Sequence, residues 1–236
     1  MHTTILTPAF NTSKYIPSCL QSALSQNYKD FDILVVDDHS TDQTAQVVQQ
    51  WLPTNPISLI CLPEHKGVTY ATHVGIKNAK GPIITILDSD DLLFPNSLET
   101  GIQPFEDPEV GFVWTEFQKS SGGEGWSKPL PKGKTLWQAM MHNSWWKASH
   151  QKFFRKSVYE SGIQLNTEID RSSDYQLVIL LALSGCKYTH IGKITYYYRV
   201  NRAGSLSSQG RQKAAVTQIK GWLSEEIKKE AISEPK

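Results

Sequence analysis

The apolar run Ile83-Ile84-Thr85-Ile86-Leu87 ends in Asp88-Ser89-Asp90-Asp91, and a second run, Ile33-Leu34-Val35-Val36, ends in Asp37-Asp38. Carboxylate oxygens are hard ligands. An Asp-x-Asp spacing at the carboxyl end of a strand suits a hard divalent cation, and such a cation suits a diphosphate. Two acidic strand ends of this kind point to an enzyme that handles a nucleotide-activated group.

Those carboxylates need strands and helices to hold them, and the first half of the chain reads that way. Thr3 to Leu6 forms a short apolar strand closed by the Pro8-Ala9-Phe10-Asn11 turn, and Ser13 can cap a helix with Ile16, Leu20 and Leu24 on one face. Ile33 to Val36 suits a strand buried on both faces. Ser40-Thr41-Asp42 offers caps for a helix carrying Val47, Val48, Trp51 and Leu52. Ile57 to Leu62 is a third strand, Thr69 to Ala79 a helix, and Gly81-Pro82 punctuates the step into Ile83 to Leu87. Repeated β–α alternation predicts an α/β fold with a mostly parallel central sheet flanked by helices. Further on, Val110 to Phe117 and Ile194 to Tyr198 read as strands. Thr135 to His142, Asp174 to Leu183 and the stretch from Ala214 read as helices. The Gly- and Pro-rich stretch 118–134 reads as a surface excursion suited to a lid.

At 236 residues, 39% hydrophobic and 20% charged, the chain fits a single globular domain. A net charge of +1 gives no electrostatic case for nucleic acid. Cys19, Cys61 and Cys186 make neither a disulfide framework nor a zinc signature, which favours a reducing compartment. No secretory signal opens the sequence, and the longest apolar stretch, Leu177 to Leu183, is too short to span a bilayer. The expected location is cytoplasmic, with peripheral association at the inner membrane face left open.

Three motifs occur in order: Thr7-Pro8-Ala9-Phe10-Asn11, Leu34-Val35-Val36-Asp37-Asp38-His39-Ser40-Thr41-Asp42, and Gly81 through Asp91. Together they resemble the family 2 glycosyltransferases of GT-A (Rossmann-like) fold, over residues 3–95. Weaker likeness continues through Phe153-Phe154-Arg155-Lys156, Ser173-Asp174-Tyr175 and Tyr198-Arg199. The resemblance implies residues 1–95 as the nucleotide-binding half, 96–212 as the acceptor-side half and 213–236 as a C-terminal helix. It implies that Pro8, Ala9, Phe10, Asn11, Lys66, Gly67, Asp88 and Ser89 line the nucleotide site. Asp38 would accept a hydrogen bond from base or ribose. Asp90, with Asp88, would bind Mn²⁺ or Mg²⁺. Asp174 would be the general base that deprotonates the acceptor hydroxyl, with Glu168 and Asp170 nearby as substitutes, while His150 and Arg199 would serve the acceptor or diphosphate side. Simpler readings stay beside these: capping for Asp37, Asp38, Asp42 and Asp174, a helix-dipole charge for Asp90 and Asp91, a solvated Lys66, structural His73 and His150, and core packing for Trp137, Trp145 and Trp146.

The implied activity is inverting, metal-dependent transfer of a hexosyl group from a nucleotide diphosphate-sugar, UDP favoured, to a saccharide or other hydroxyl acceptor. The sequence departs from the family pattern at Thr72 and His73, where Arg and Asn are usual, and at Ser173, where Glu is usual. A lost Arg removes a fixed charge and five donors. The rival readings are therefore a catalytically silent sugar-nucleotide-binding protein and, lower, a sugar nucleotidyltransferase.

Overall fold

Strands that are apolar on both faces need helices on both sides, and this chain supplies them. A computed structural model of the protein describes residues 1–121, 150–162, 164–170, 172–200 and 212–233. The first half runs β1 (Thr3–Ala9), α1 (Ile16–Leu24), β2 (Phe31–Asp37), α2 (Thr44–Gln49), β3 (Ile57–Cys61), α3 (Val68–Asn78) and β4 (Ile83–Ile86). β5 (Leu92–Leu93), α4 (Ser97–Ile102), β6 (Val110–Lys119), β7 (Lys152–Arg155), α5 (Lys156–Glu160), α6 (Ser173–Leu183), β8 (Lys187–Tyr198) and α7 (Gln212–Ser233) follow.

The eight described strands form one sheet in the order β3-β2-β1-β4-β7-β6-β8-β5. β1 to β4 are parallel, β7 enters antiparallel between β4 and β6, and β8 runs parallel to β6 with register shifts. Alternation along each strand divides the core in two. Leu6, Leu34, Val36, Ile84, Phe112, Trp114 and Phe154 face α3, α6 and α7. Their neighbours Ile5, Ile33, Val35, Ile83, Val113 and Phe153 face the opposite layer with Ile16, Leu20 and Leu98. Truncating one such residue to Ala costs about 2–5 kcal/mol. α3 lies so close to β1 that a Cβ on Gly75 would come within 2.1 Å of Leu6 Cδ1.

The structure revises several boundaries. β1 continues through Pro8 and Ala9, which pair with Val36 and Asp37. β4 leaves β1 after Leu6, so Pro8 lies where the strand has become a one-sided edge and its missing N–H is tolerated. Ser13 does not cap α1. The helix begins at Ile16, with Pro17 in the first turn where it removes no helical hydrogen bond. Trp51 and Leu52 fall outside α2, which ends at Gln49 before a 3₁₀ turn over Leu52–Thr54. β5, α4 and α5 are too short to show a period in sequence, and tertiary contacts define them. Gln118 and Lys119 belong to β6, so the excursion expected at 118–134 does not begin there. Its residues from 122 on, the helix expected at 135–142, Trp137, Trp145, Trp146 and the segment Gly204–Ser207 lie outside the described residues. No described helix is long and apolar enough to cross a membrane.

Candidate active site

The carboxyl ends of β1 and β2 form the first part of the site. Asp37 accepts the Ser40 amide at 3.0 Å and its hydroxyl at 2.6 Å, closing the turn after β2. Asp38 is 1% exposed, and each of its oxygens takes one backbone amide: Lys66 N at 2.8 Å and Gly67 N at 2.7 Å. His65 Nδ1 lies 2.9 Å from the same carboxylate, and its ring stacks on Phe10 with centroids 4.0 Å apart. Phe10 is left 38% exposed. Asn11, at φ 52°, accepts the Thr41 amide at 2.8 Å and the Asp42 amide at 3.3 Å. Asp42 in turn accepts from Thr44 and Ser13, tying the start of α2 to the loop before α1. Burial alone would raise the Asp42 carboxyl, but these hydrogen bonds outweigh it and the group lies below its ordinary range. The Lys66 ammonium turns outward to Glu64 at 2.7 Å.

The end of β4 is organised differently. Asp91 is fully buried and does not serve the α4 dipole, since that helix starts only at Ser97. It accepts the Arg199 amide at 2.7 Å and the Tyr196 hydroxyl at 2.8 Å, so it ties the end of β8 to the end of β4. Burial first, then the charges of Asp88 and Asp90, hold the Asp91 carboxyl well above its usual range. Burial and the same three carboxylates push up the thiol of Cys19 beside them, while Arg199 pulls it down. The Arg199 guanidinium lies 5.1 Å from the Tyr15 ring centroid and reaches Ser18 at 3.5 Å.

This local excess of negative charge fits a divalent cation. Among the described residues no group of three or more His, Cys, Asp or Glu side chains converges on one point. A cation there would have to draw most of its ligands from phosphate and water, as Mg²⁺-type cations do in phosphate sites.

Asp174 lies in the other half of the chain, on α6. Ser172, at φ 61°, is the N-cap of α6, so Asp174 belongs to the first helical turn and is not itself the cap. Gln176 is fully buried. Its side-chain oxygen accepts the Asn166 amide at 2.9 Å, and its side-chain nitrogen donates to Ile169 O at 3.3 Å. Thr69 on α3 donates to the same Ile169 carbonyl at 2.8 Å. Asp170 then lies over Gly67, where a Cβ would meet its Oδ1 at 1.5 Å; with φ at 90°, only glycine serves there. The loop over residues 164–170 thus links the start of α6 to the start of α3.

A model of the family described as "Glycosyl transferase family 2" matches residues 4–163. The chain belongs to glycosyl transferase family 2. It is 30% identical over 200 residues to a chondroitin synthase of Escherichia coli, covering 81% of this chain and 28% of that one. It is likewise 30% identical over 198 residues to a hyaluronan synthase of Pasteurella multocida, covering 81% of this chain and 20% of that one. The chain therefore spans less than a third of the length of these relatives. In fold it is similar to S. aureus TarS 1-349 in complex with UDP-GlcNAc, with TM-score 0.70, 21% identity and coverage of 89% and 61% of the two chains. It is also similar to the mannosyltransferase PcManGT of Pyrobaculum calidifontis in complex with GDP-Man and Mn²⁺, with TM-score 0.69, 20% identity and coverage of 99% and 65%. The GT-A fold, with its mostly parallel sheet flanked by helices, is thereby established.

In this member of family 2, the candidates fall into distinct surroundings. Pro8, Ala9 and Ser89 are buried, whereas Phe10 and Asn11 border the surface. Gly67 and Asp38 are joined by a hydrogen bond. His150 stacks between Tyr196 and Tyr198, at 5.1 and 5.0 Å, and edge-on to Phe117. Its enclosure first, then the charge of Lys152, keeps it well below the ordinary histidine range. His73 bonds the Tyr159 hydroxyl at 2.8 Å, a structural role. Arg155 donates to Val110 O, Phe105 O and Asp107 O, fixing the turn before β6 away from the acidic strand ends. Sequence reasoning missed His65, Tyr196 and Lys152, while Asp170, weighed there as a stand-in for Asp174, lies over Gly67. Only Lys152 left a signal, a charge opening the run Lys152-Phe153-Phe154.

Proposed function

We propose that this family 2 member is an inverting transferase moving a hexosyl group from a nucleotide diphosphate-sugar to an acceptor hydroxyl. The observation that carries the reading is the Asp88–Asp90–Asp91 cluster at the end of β4, where burial first and then the neighbouring carboxylates hold Asp91 well above its usual range. Residues 1–95 bind the donor and residues 96–212 shape the acceptor side. Phe10 offers a ring face to the base. Asp38, already holding two backbone amides and His65 Nδ1, keeps about one further lone-pair site for base or ribose. A UDP-sugar is the favoured donor, in keeping with the UDP-GlcNAc bound in the TarS structure. A Mn²⁺ or Mg²⁺ ion held by Asp90 and Asp88 would supply charge stabilisation to the departing diphosphate. Arg199, anchored by Asp91 through its backbone, adds a positive group on the same side. Asp174 takes the acceptor proton as the hydroxyl attacks from the face opposite the leaving group. The three cysteines form no disulfide, which favours a reducing, cytoplasmic setting.

The test is a thermal-shift screen of UDP-GlcNAc, UDP-glucose and GDP-mannose with Mn²⁺, Mg²⁺ or chelator, followed by transfer assays. A donor at about 100 times its Kd stabilises by about 2.7 kcal/mol. That shift should vanish with chelator. Asp174→Asn should keep the donor shift and lower kcat by about 10²–10⁴-fold. No nucleotide-dependent shift, or one indifferent to chelator, overturns the metal-bridged donor site. Donor binding without turnover on any acceptor would instead mark a silent binder.

A further inference from the structure

The loop after α5 and the flank of α7 border an open cleft of about 570 Å³, lined by none of the candidate site residues. That volume lies within the range of about 300–1,000 Å³ usual for ligand sites. β7 ends beside Ile83 at the start of β4, so α5 begins at the sheet edge opposite the acidic turns. From there residues 161–170 run back towards Gly67, and the cleft lies along this path. Its wall is pinned from behind. Leu165 donates its amide to the Tyr159 hydroxyl at 3.1 Å, and the Asn166 amide goes to the Gln176 side chain at 2.9 Å. The Asn166 side-chain oxygen accepts the Glu168 amide at 3.0 Å, so its NH₂ group is the end left to donate. Among the described hydrogen bonds none engages the side chains of Gln164 or Thr167, which also line the cleft. A Cβ on Gly162 would meet only Val158 O, at 3.8 Å, so nothing fills that side.

Trp222 packs against the core layer and also borders the cleft. An indole beside neutral amide and hydroxyl groups suits a sugar ring: the aromatic body takes its C–H face, and the polar groups take its hydroxyls. The lining holds the carboxylate of Glu226 and no Lys or Arg, which disfavours phosphate and uronate groups. Only Leu165 and Trp222 are large apolar members, too few for the apolar centre of a protein interface. We propose that this cleft is a second saccharide site, which takes an uncharged sugar unit separately from the acidic strand ends. Its place on the loop that leads to Asp170 and the start of α6 suits it to hold a remote part of an acceptor glycan. That role in holding an acceptor rests on the transferase reading above; the saccharide binding itself does not.

Two arms of one experiment keep these apart. The first needs no turnover: calorimetric titration of the wild type with chitotriose and maltotriose, which are uncharged, and with a hyaluronan tetrasaccharide, which carries uronates. At least one uncharged probe should bind saturably and more tightly than the hyaluronan fragment. Trp222→Ala should weaken that binding by about tenfold or more. Gln164→Ala, at a partly buried position outside the core, should weaken it by about threefold. Asp174→Asn should bind as the wild type does. No saturable binding of either uncharged probe, tighter binding of the hyaluronan fragment, or unchanged affinity in the folded variants overturns the site; so does binding lost in Asp174→Asn. Should Trp222→Ala fail to fold, Gln164→Ala decides. The second arm follows UDP release from UDP-GlcNAc with Mn²⁺ on two acceptors, chitotriose and N-acetylglucosamine. Trp222→Ala should raise the KM of the trisaccharide by about tenfold and leave that of the monosaccharide unchanged. An equal effect on both acceptors, or none on either, overturns the acceptor-holding role. If the wild type itself transfers nothing, the transferase reading fails while the titration still decides the site.

Discussion

The turns after β2 and after β4 look alike in sequence, each an apolar strand running into clustered aspartates, yet the fold uses them in opposite ways. After β2 the carboxylates are occupied by the protein's own backbone: Asp37 closes its turn on Ser40, and Asp38 takes the amides of Lys66 and Gly67. After β4 three carboxylates crowd together, and Asp91, though bonded to Arg199 and Tyr196, is held well above its ordinary range by burial first and then by its neighbours' charge. A carboxylate that accepts two or three N–H groups stabilises a loop. A crowd of carboxylates sharing one site stores repulsion that a cation relieves. The first region is tied together by backbone amides; the second concentrates charge around a buried carboxyl.

The difference is open to direct test. The largest effect is expected at Asp90. Asp90→Asn should lower transfer by about 10³-fold, about 4 kcal/mol, and abolish the Mn²⁺-dependent thermal shift. Its urea stability should change by less than about 0.5 kcal/mol, because the substitution also removes repulsion. Retained transfer would make the β4 turn a scaffold like its counterpart.

Asp38→Ala should behave in the reverse manner. It leaves the Lys66 and Gly67 amides without their acceptor and should cost about 2–3 kcal/mol of unfolding free energy, read from urea melts without ligand. An Asp38→Ala protein as stable as wild type would show that the β2 turn holds nothing together.

The smallest effect separates the two regions by pH. His150 stacks on Tyr196, whose hydroxyl serves Asp91. Its folded pKa is depressed, so as pH falls below about 6.5 the unfolded chain takes up a proton that the folded ring refuses. The stability contribution is complete above that pH and is lost as pH falls through it. Wild type should lose about 1 kcal/mol more than His150→Phe between pH 7 and pH 5.5, by urea melts at each pH. Equal slopes for the two proteins would remove His150 as the origin.

Much of this was legible before the fold was known. The buried parallel strands announced themselves as unbroken β-branched runs, and the cluster Asp88 to Asp91 declared a concentration of hard ligands. What escaped were short elements with no measurable period, and contacts between residues far apart in the chain. Asp91 resembled a helix-terminal charge because only local neighbours were visible, whereas its partners Tyr196 and Arg199 lie over one hundred residues away. His65 carried no motif, and Asp170 was visible only as a stand-in base; their places come from one loop folding over another.

The amino-acid sequence by itself determined that an α/β sheet would present acidic turns at its carboxyl edge, because strand period, β-branching and glycine–proline punctuation act over a few residues. Only the tertiary structure decided that Asp38 would take the Lys66 and Gly67 amides and that Asp91 would be buried against Tyr196 and Arg199. It also decided that Lys152 would lie buried opposite Trp114 on β6. Charge and desolvation depend on distance in space, and that distance is set when β7 enters the sheet beside β4.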